Sequence, residues 1–467
     1  MNDRVAIEDS WAGLLGSRLF PRFILLCFAV WLHAANSMLA ATTLPSAVSE
    51  LGGAHLISWA FTLYLLGSIL AGASAGLVSQ RLSLRSGFAA SASLYCFGSA
   101  VCALAWQMEI VLAGRFLQGL GGGSLLALAY IALARIFPDD LMPRLMAAIS
   151  VVWSTSAFCG PLIGGSFSTL GLWRFGYWAF GAQALVFVIL ALLMLSKDVD
   201  EERSTSARIP ALRLVVLSAA ILCVSLAGAA VDPLRSPFLC FVGLGLLFAF
   251  LRLDKVRTES HMYPSVTTDL SSKTGIGLFM IFSAAAATMS FLVFGPILLE
   301  TLYAITPLQA GYVVALEAVA WGVAAIFFSN APPRAEPGLI RAGTLCVALS
   351  SVCLAFAMPS GHLWLVVLCG AGQGAGFGMM HGFVVRRLVA AAPEAEKDVT
   401  ASSIPTTQQI SFALGAAAAG IVANAAGFAD GASEQAAKSA AFWVFIAFAP
   451  VSLASVIAAW RLTRPGP

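Results

Sequence analysis

Two ionisable residues fall deep inside long apolar segments, where a charge is costly and usually serves a function. Arg115 lies in "VLAGRFLQGLGGGS" and Glu317 lies in "GYVVALEAVAWGV". A carboxyl group removed from water favours its protonated form, so Glu317 could take up a proton and release it on contact with water. The alternatives are a permanently protonated, hydrogen-bonded acid and an anion that binds substrate. Arg115 is expected to face other helices and not lipid.

Other polar residues in apolar segments could belong to the same site. His33 and His381 can titrate near neutral pH if water reaches them, although each could instead be a hydrogen-bonded packing residue. Buried amides could line a cavity or bond one helix to another. Aromatic rings in an apolar cavity suit a hydrophobic or aromatic small molecule. The candidates for such a cavity are Asn36, Gln118, Trp153, Gln373, Gln408 and Gln409.

The composition indicates the elements that position these residues. The chain has 467 residues, of which 59% are hydrophobic and 10% charged, and its mean hydropathy is +0.89. It is therefore predicted to be an all-α integral membrane protein, with lipid and a small-molecule substrate as partners and no nucleic acid. Fourteen apolar segments can each cross a hydrocarbon layer of about 30 Å as a helix. They lie near 20–42, 56–78, 87–106, 110–136, 145–169, 174–196, 213–231, 237–252, 274–298, 311–329, 339–357, 362–386, 402–424 and 439–461.

The distribution of basic residues predicts the orientation, because basic loops stay on the cytoplasmic side. With the N-terminus inside, only Arg174, Arg235 and Lys438 fall in outside loops. Both termini are therefore predicted to be cytoplasmic, in the cytoplasmic (inner) membrane of a bacterium, and we expect the protein to act as a monomer. All nine cysteines lie in apolar segments without a CxxC spacing, which favours packing over disulfides or metal ligands. No metal or cofactor is predicted.

An internal echo suggests duplication. "RFLQGLGGG" (115–123) matches "GAGQGAGFG" (370–378) with Gln118 over Gln373, and the same shift places Gly160 over Gly415. We expect two parallel six-helix bundles, in residues 1–197 and 272–467, joined by a linker of residues 198–271 with two extra transmembrane helices. Glycine-rich helices can also arise from packing alone.

The fifth segment contains "SAFCGPLIGGSF" (156–167), which is rich in residues that disfavour helices. Only small residues let membrane helices approach closely, and a proline kinks a helix. Gly160, Pro161, Gly164 and Gly165 therefore predict a bent helix pressed against another. Its expected neighbour is its symmetry mate, the thirteenth helix, at Gly415. Such a face would let the two bundles rock.

This stretch resembles the antiporter signature gxxxGPxxGG of the major facilitator superfamily, with Ser156 in place of its first glycine. Fourteen spans resemble the drug:proton antiporter branch. "GRFLQGLGGGS" (114–124) and "LGLWRFGYWAF" (170–180) look like its fourth-span and sixth-span signatures. The resemblance makes Arg115 a coupling residue; the alternative is a structural arginine held by carbonyl groups and Gln118.

Two further signatures of this family are present with departures. "ANSMLAATTLPSAVSELGG" (35–53) resembles the first-span signature but has Asn36 where an aspartate is usual. "GLVSQRLSLRSG" (76–87) keeps Gly76, Arg81 and Arg85 of the loop signature. It has Gln80 in place of aspartate and a serine in place of glycine. These departures put inherited proton coupling in doubt.

The resemblance implies a secondary active transporter that exports small hydrophobic or drug-like compounds by alternating access, in exchange for protons. The alternative is a carrier of the same fold that is uncoupled or differently coupled and moves lipid, a siderophore-like compound or a metabolite. The sequence has no HExxH, no GxSxG in a catalytic context and no phosphate-binding GxxxxGK[ST]. It is therefore predicted not to be an enzyme and not to use ATP.

Overall fold

The helices follow the apolar segments closely. The computed structural model describes residues 17, 19–81, 83–137, 142–195, 211–229, 232, 234–256, 263–328, 331–332, 334–393, 396–428 and 434–464. The α-helices are α1 (Phe20–Leu51), α2 (Ile57–Arg81), α3 (Leu84–Ala103), α4 (Met108–Ile136), α5 (Met142–Thr169), α6 (Trp173–Met194), α7 (Ala211–Ala229), α8 (Arg235–Val256), α9 (Lys273–Tyr303), α10 (Pro307–Phe328), α11 (Glu336–Ala357), α12 (Leu363–Ala391), α13 (Lys397–Ala425), α14 (Glu434–Ile446) and α15 (Ala449–Leu462).

Among the described residues, 12 helical segments are long and apolar enough to cross a membrane, with α14 and α15 together forming one of them. Helices α5 and α13 are outside this set. They have 28 and 29 residues, and 28 residues of helix are about 42 Å long. Stretches such as "TTQQISFALG" in α13 make it less apolar. The all-helical membrane fold is confirmed, while the count of fourteen spans stays a prediction.

Two six-helix bundles repeat one packing scheme. In the first bundle α4 packs against α2 and α3, and in the second α12 packs against α10 and α11. A Cβ atom at Gly119 would lie 2.0 Å from the carbonyl oxygen of Tyr64, and one at Gly374 would lie 1.8 Å from that of Glu317. These glycines are related by the shift that relates Gln118 to Gln373. Backbone contact this close requires glycine in both halves.

The seam between the bundles is formed by α5 on α10 and by α13 on α2. A Cβ atom at Gly165 would lie 2.6 Å from Leu308 Cα, whereas one at Gly415 would meet Ala286 of α9 at 2.7 Å. The predicted pairing of α5 with α13 was therefore wrong. Pseudo-twofold symmetry explains the difference, because it relates α5 to α13 and α2 to α10. The contact of α5 with α10 is therefore repeated as the contact of α13 with α2.

Close seam contacts extend from the middle of the helices, where a Cβ atom at Gly322 would lie 2.8 Å from Ser154 Oγ, to the membrane face opposite to Phe20 and Leu462, where α5 and α13 end. Asn424 of α13 connects the second bundle to the first bundle and to α7 at this face. Its Nδ2 donates to the carbonyl oxygen of His55, just before α2, at 3.1 Å, and to that of Gly228 in α7 at 2.7 Å. This end of the seam is closed.

The linking helices α7 and α8 pack on each other, and α7 also contacts α13 and α2, which covers the α2–α13 seam. At the other membrane face, a buried ion pair of Arg213 with Asp254 joins α7 to α8. Asp254 also accepts from the backbone N–H of Tyr263 at 2.9 Å, and the hydroxyl of Tyr263 accepts from Thr407 of α13 at 3.2 Å. Helices α7 and α8 are thus attached to the second bundle near both membrane faces.

Candidate functional site

A buried guanidinium lies at the centre of the first bundle. Arg115 of α4 is 0% exposed. Its Nη1 donates to Asn36 Oδ1 of α1 and to Gln118 Oε1 at 2.9 Å, and its Nε donates to the carbonyl oxygen of Ala60 at 3.4 Å. The guanidinium carbon lies 4.3 Å from the ring centre of Tyr64. Nη2 is buried and has no hydrogen-bond partner among the described residues.

Each partner of Arg115 is uncharged. The ion pairs formed between described residues involve other cations, so no described carboxylate lies within 4.0 Å of this guanidinium. Asn36, at the position where the resemblance calls for aspartate, supplies an amide oxygen instead. Its Nδ2 donates to the hydroxyl of Tyr95, which itself donates to the carbonyl oxygen of Leu32 at 3.1 Å. The amide is therefore held in one orientation.

A row of rings leads away from the guanidinium. The hydroxyl of Tyr64 donates to the carbonyl oxygen of His33 at 3.0 Å and lies 3.0 Å from its Nδ1. The two rings stack with centres 5.6 Å apart, and the ring of His33 lies 5.9 Å from that of Trp153 in α5. The row thus runs from Arg115 through Tyr64 and His33 to Trp153.

Trp153 lines an internal space. At 100° per residue, Val151 and Phe158 share with Gly165 the side of α5 that meets α10, and they are 61% and 54% exposed. Trp153 lies on the opposite side, in line with the buried Gly160 and Gly164. It is nevertheless 41% exposed. Gly164 on that side packs against Leu39 and Thr42 of α1, so the exposed part of the Trp153 ring borders an internal space beside α1.

Glu317 takes the place in the second bundle that Tyr64 takes in the first, since their carbonyl groups contact corresponding glycines. It lies on the inward side of α10, is partly exposed, and has no hydrogen-bond or ion-pair partner among the described residues. One turn further along α10, Trp321 packs against Phe377 and His381, with ring centres 4.8 and 5.8 Å away. The side chain of Gln408 lies close to His381. An acid and an aromatic cluster therefore lie one helical turn apart on α10.

The two bundles differ where Arg115 lies. Gln118 donates to Ser99 at 2.9 Å, and Gln373 donates to Ser351 at 2.8 Å, so this bond is repeated. The same shift relates Arg115 to Gly370 and Asn36 to Phe291. A Cβ atom at Gly370 would lie 2.7 Å from Phe291 Cε1. The second bundle fills with an aromatic ring the space in which the first holds Arg115 and its amide partner Asn36.

The structure thus groups some predicted site residues and separates others. Arg115, Asn36, Gln118 and His33 form one network, while Gln373 lies apart between α11 and α12. Gln409 reaches across the seam and accepts from the hydroxyl of Ser68 at 3.3 Å.

The residues predicted to guide conformational change are only partly described. Gly76, Arg81 and Pro161 lie within α2 and α5, but their surroundings are outside what the structure describes. Arg85 is partly exposed at the start of α3. The serine that replaces a signature glycine there, Ser83, caps α3 by accepting from a backbone N–H at 3.2 Å.

One acidic residue escaped the sequence analysis. Glu300 lies inside α9, which continues to Tyr303 and not only to residue 298, and its Oε1 is buried without a partner among the described residues. Glu300 therefore adds a second acid inside a helix that can span the membrane, three residues before the helix ends. The apolar residues around Glu300 in "GPILLETLY" were the available signal.

Comparisons with known proteins agree on one group. The family profile described as Major Facilitator Superfamily matches residues 26–331. A probable multidrug-efflux transporter of Mycobacterium tuberculosis is 30% identical, over 99% of this chain and 98% of its own length. The multidrug efflux pump SdrM of Staphylococcus aureus is 24% identical, over 64% of this chain and 66% of its own.

Solved structures share the fold. A D-xylose–proton symporter superimposes with a TM-score of 0.66 at 15% identity, covering 96% of this chain and 97% of its own. A POT family transporter, bound to 5-aminolevulinic acid, superimposes with a TM-score of 0.68 at 13% identity, covering 95% of this chain and 97% of its own. At such identity the likeness concerns the fold alone.

Proposed function

Because the chain belongs to the major facilitator superfamily, we propose that it exports small hydrophobic or drug-like compounds by alternating access, in exchange for protons. Membership makes it a membrane transporter and not an enzyme. We further propose that it acts as a monomer in a bacterial cytoplasmic membrane, with both termini in the cytoplasm. The efflux relatives support the direction of transport.

The geometry of the seam supports alternating access. Small residues bring α5 against α10, and the seam is closed at the membrane face where Asn424 bonds to His55 and Gly228. Rocking of two rigid bundles about a central site requires such smooth, closely packed surfaces. With both termini in the cytoplasm, the closed face is the outer one, and the bound compound would be loaded from the inside.

Glu317 is the observation that carries proton exchange. It lies on the inward side of α10, partly exposed and unpaired within the described residues, beside the aromatic cluster around Trp321. A carboxyl group in this position can bind a proton or contact a compound in the internal space, and one event can displace the other. That competition is the basis of exchange.

The test uses purified protein in liposomes with an imposed pH gradient. Compounds are first selected by thermal stabilisation of the protein, since a ligand of the folded state raises its apparent stability. We expect Glu317→Gln to abolish uphill accumulation while sparing downhill exchange. Glu109→Gln, at an exposed acid in the first turn of α4, is the matched control and should transport normally. Undiminished uphill transport by Glu317→Gln would exclude this residue from coupling.

A differently coupled carrier is the second candidate, and Asn36 favours it. In this chain the coupling arginine of the resemblance bonds to an amide and not to an acid. Gln80 adds a second departure. If an ionophore that collapses the pH gradient leaves uphill movement unchanged, the carrier uses another driving force, and the cargo could then be a lipid, a siderophore-like compound or a metabolite.

A further inference from the structure

We propose that Arg115 binds the acidic group of the transported compound, so that the preferred substrates are apolar aromatic carboxylic acids. This assignment rests on the proposed transport function and names its substrate class. It follows from the charge of the site, the comparison of the two bundles and the path of rings that leads to the guanidinium.

No acidic side chain among the described residues neutralises the charge of Arg115. A guanidinium keeps its proton in proteins, so burial cannot remove the charge. Its acceptors are two side-chain amides and a backbone carbonyl group. Isolating a buried ion from any counter-ion costs several kcal/mol. An anion that enters this site is therefore strongly favoured over the same anion in an apolar cavity without the arginine.

The fold does not require this charge. In the second bundle Gly370 and Phe291 occupy the corresponding positions and pack ring against backbone. The neighbouring Gln373–Ser351 bond matches the Gln118–Ser99 bond. The same helix packing is thus built without an ion. What the first bundle adds is a cation with an available donor, which serves binding and not helix association.

The free donor defines the anion. Nη1 already donates twice, while both hydrogens of Nη2 are without partners among the described residues. One guanidinium edge and one positive charge suit a carboxylate. A dianion such as a phosphate monoester would bring a second negative charge, whereas the described groups that contact Arg115 are two side-chain amides, a backbone carbonyl group and the Tyr64 ring.

The rings define the rest of the molecule. Tyr64, His33 and Trp153 extend from the guanidinium to the internal space, with neighbouring ring centres less than 6 Å apart. Rings in such a row prefer stacked or edge contacts with another ring. An aromatic acid would pack its ring against this row, and because Tyr64 and His33 are 1% and 4% exposed, their side chains would have to move to admit it. Its carboxylate would replace no existing hydrogen bond of Arg115.

The experiment measures ligand-induced thermal stabilisation of the purified full-length protein. The probes are 2-naphthoate, its methyl ester and 2-naphthylmethylamine, which share one ring system and differ in charge. We expect 2-naphthoate to act at concentrations at least tenfold lower than the ester or the amine. Each titration is run in chloride and in sulfate at equal ionic strength, so that binding of inorganic chloride is recognised.

Asn36→Asp is the decisive variant, because it preserves shape and places a carboxylate against Arg115. We expect it to unfold at a higher temperature than the parent without ligand, and to bind 2-naphthoate at least tenfold more weakly while its affinity for the ester is unchanged. Gln309→Glu, at an exposed position in the first turn of α10, adds the same charge elsewhere and should behave as the parent. Arg115→Gln should lose the preference for the acid.

Equal stabilisation by acid and ester in the parent, or unchanged binding of 2-naphthoate by Asn36→Asp, would overturn the proposal. So would stabilisation by chloride through Arg115 with no further effect of 2-naphthoate, or no stabilisation by any of the three probes. Proton exchange is judged separately, by the transport of a selected compound by Glu317→Gln. A failure of the acid preference therefore leaves the export proposal standing, and the reverse also holds.

Discussion

Replacing Gly165 by alanine should push α5 away from α10 and disfavour the conformation that is closed at this membrane face. The new Cβ atom would lie 2.6 Å from Leu308 Cα and 3.0 Å from its backbone nitrogen. Carbon atoms in contact are about 3.5–4.0 Å apart, so the helices must separate by about 1 Å. Backbone atoms cannot rotate out of the way as a side chain can.

Overpacking of this kind costs about 1–3 kcal/mol. The closed state bears this cost and a state with separated helices does not, so the closed population should fall relative to the open one by about 5- to 150-fold. Gly382→Ala is the matched control, because no atom lies within 4 Å of a Cβ added there. It carries the same change in helix propensity as Gly165→Ala without the clash.

The assay is crosslinking of cysteines introduced at Phe158 and Tyr312, whose rings lie 5.3 Å apart across the seam. The nine native cysteines are first replaced, and a short bismaleimide then reports how often the seam is closed. We expect slower crosslinking in Gly165→Ala and an unchanged rate in Gly382→Ala. Equal rates in the parent and in Gly165→Ala would refute the reasoning that this contact limits closure.

Three further predictions concern single contacts. Asn424→Ala removes two hydrogen bonds at the closed face and should slow the same crosslinking several-fold, since each bond contributes about 1 kcal/mol. Gln373→Leu should destabilise the protein by about 1 kcal/mol and Gln118→Leu by about 2–3 kcal/mol, because the latter also deprives the buried guanidinium of an acceptor; thermal unfolding in detergent compares the two. The backbone N–H groups of Arg235 and Leu234 donate to the Asp232 carboxylate and hold its pKa below the usual value. The stability from this contact is present above the pKa of a free aspartate and is lost as pH falls through the lowered pKa. Asp232 therefore stays ionised between about pH 5 and 8, and Asp232→Asn should leave the pH profile of transport unchanged in that range.

The position of the helices could be predicted from the sequence because crossing a membrane requires a long apolar segment, and such segments are local. The partners of those helices could not. Glycine and proline in the fifth segment correctly indicated close contact, but a small residue does not specify what approaches it. Gly165 meets Leu308 and Gly415 meets Ala286, and pseudo-twofold pairing became clear only in three dimensions.

The candidate site shows the same limit. That Arg115 must be enclosed by other helices followed from the energetic cost of a charge in lipid. That its acceptor is Asn36, 79 residues away, depends on how α1 and α4 cross. Glu300 was missed because the end of a span was placed where the apolar run weakened, whereas the helix continues to Tyr303.

The covering of one seam by α7 makes the two flanks of the protein unlike toward the lipid. Along the α5–α10 flank, Phe158 and Phe327 are 54% and 77% exposed, so part of each ring is available to contact lipid. The α2–α13 flank has α7 laid over it, with Gly228 close against Ile421. On the export function proposed above, a hydrophobic compound dissolved in the bilayer would meet the α5–α10 seam directly, whereas among the described residues α7 separates it from the α2–α13 seam.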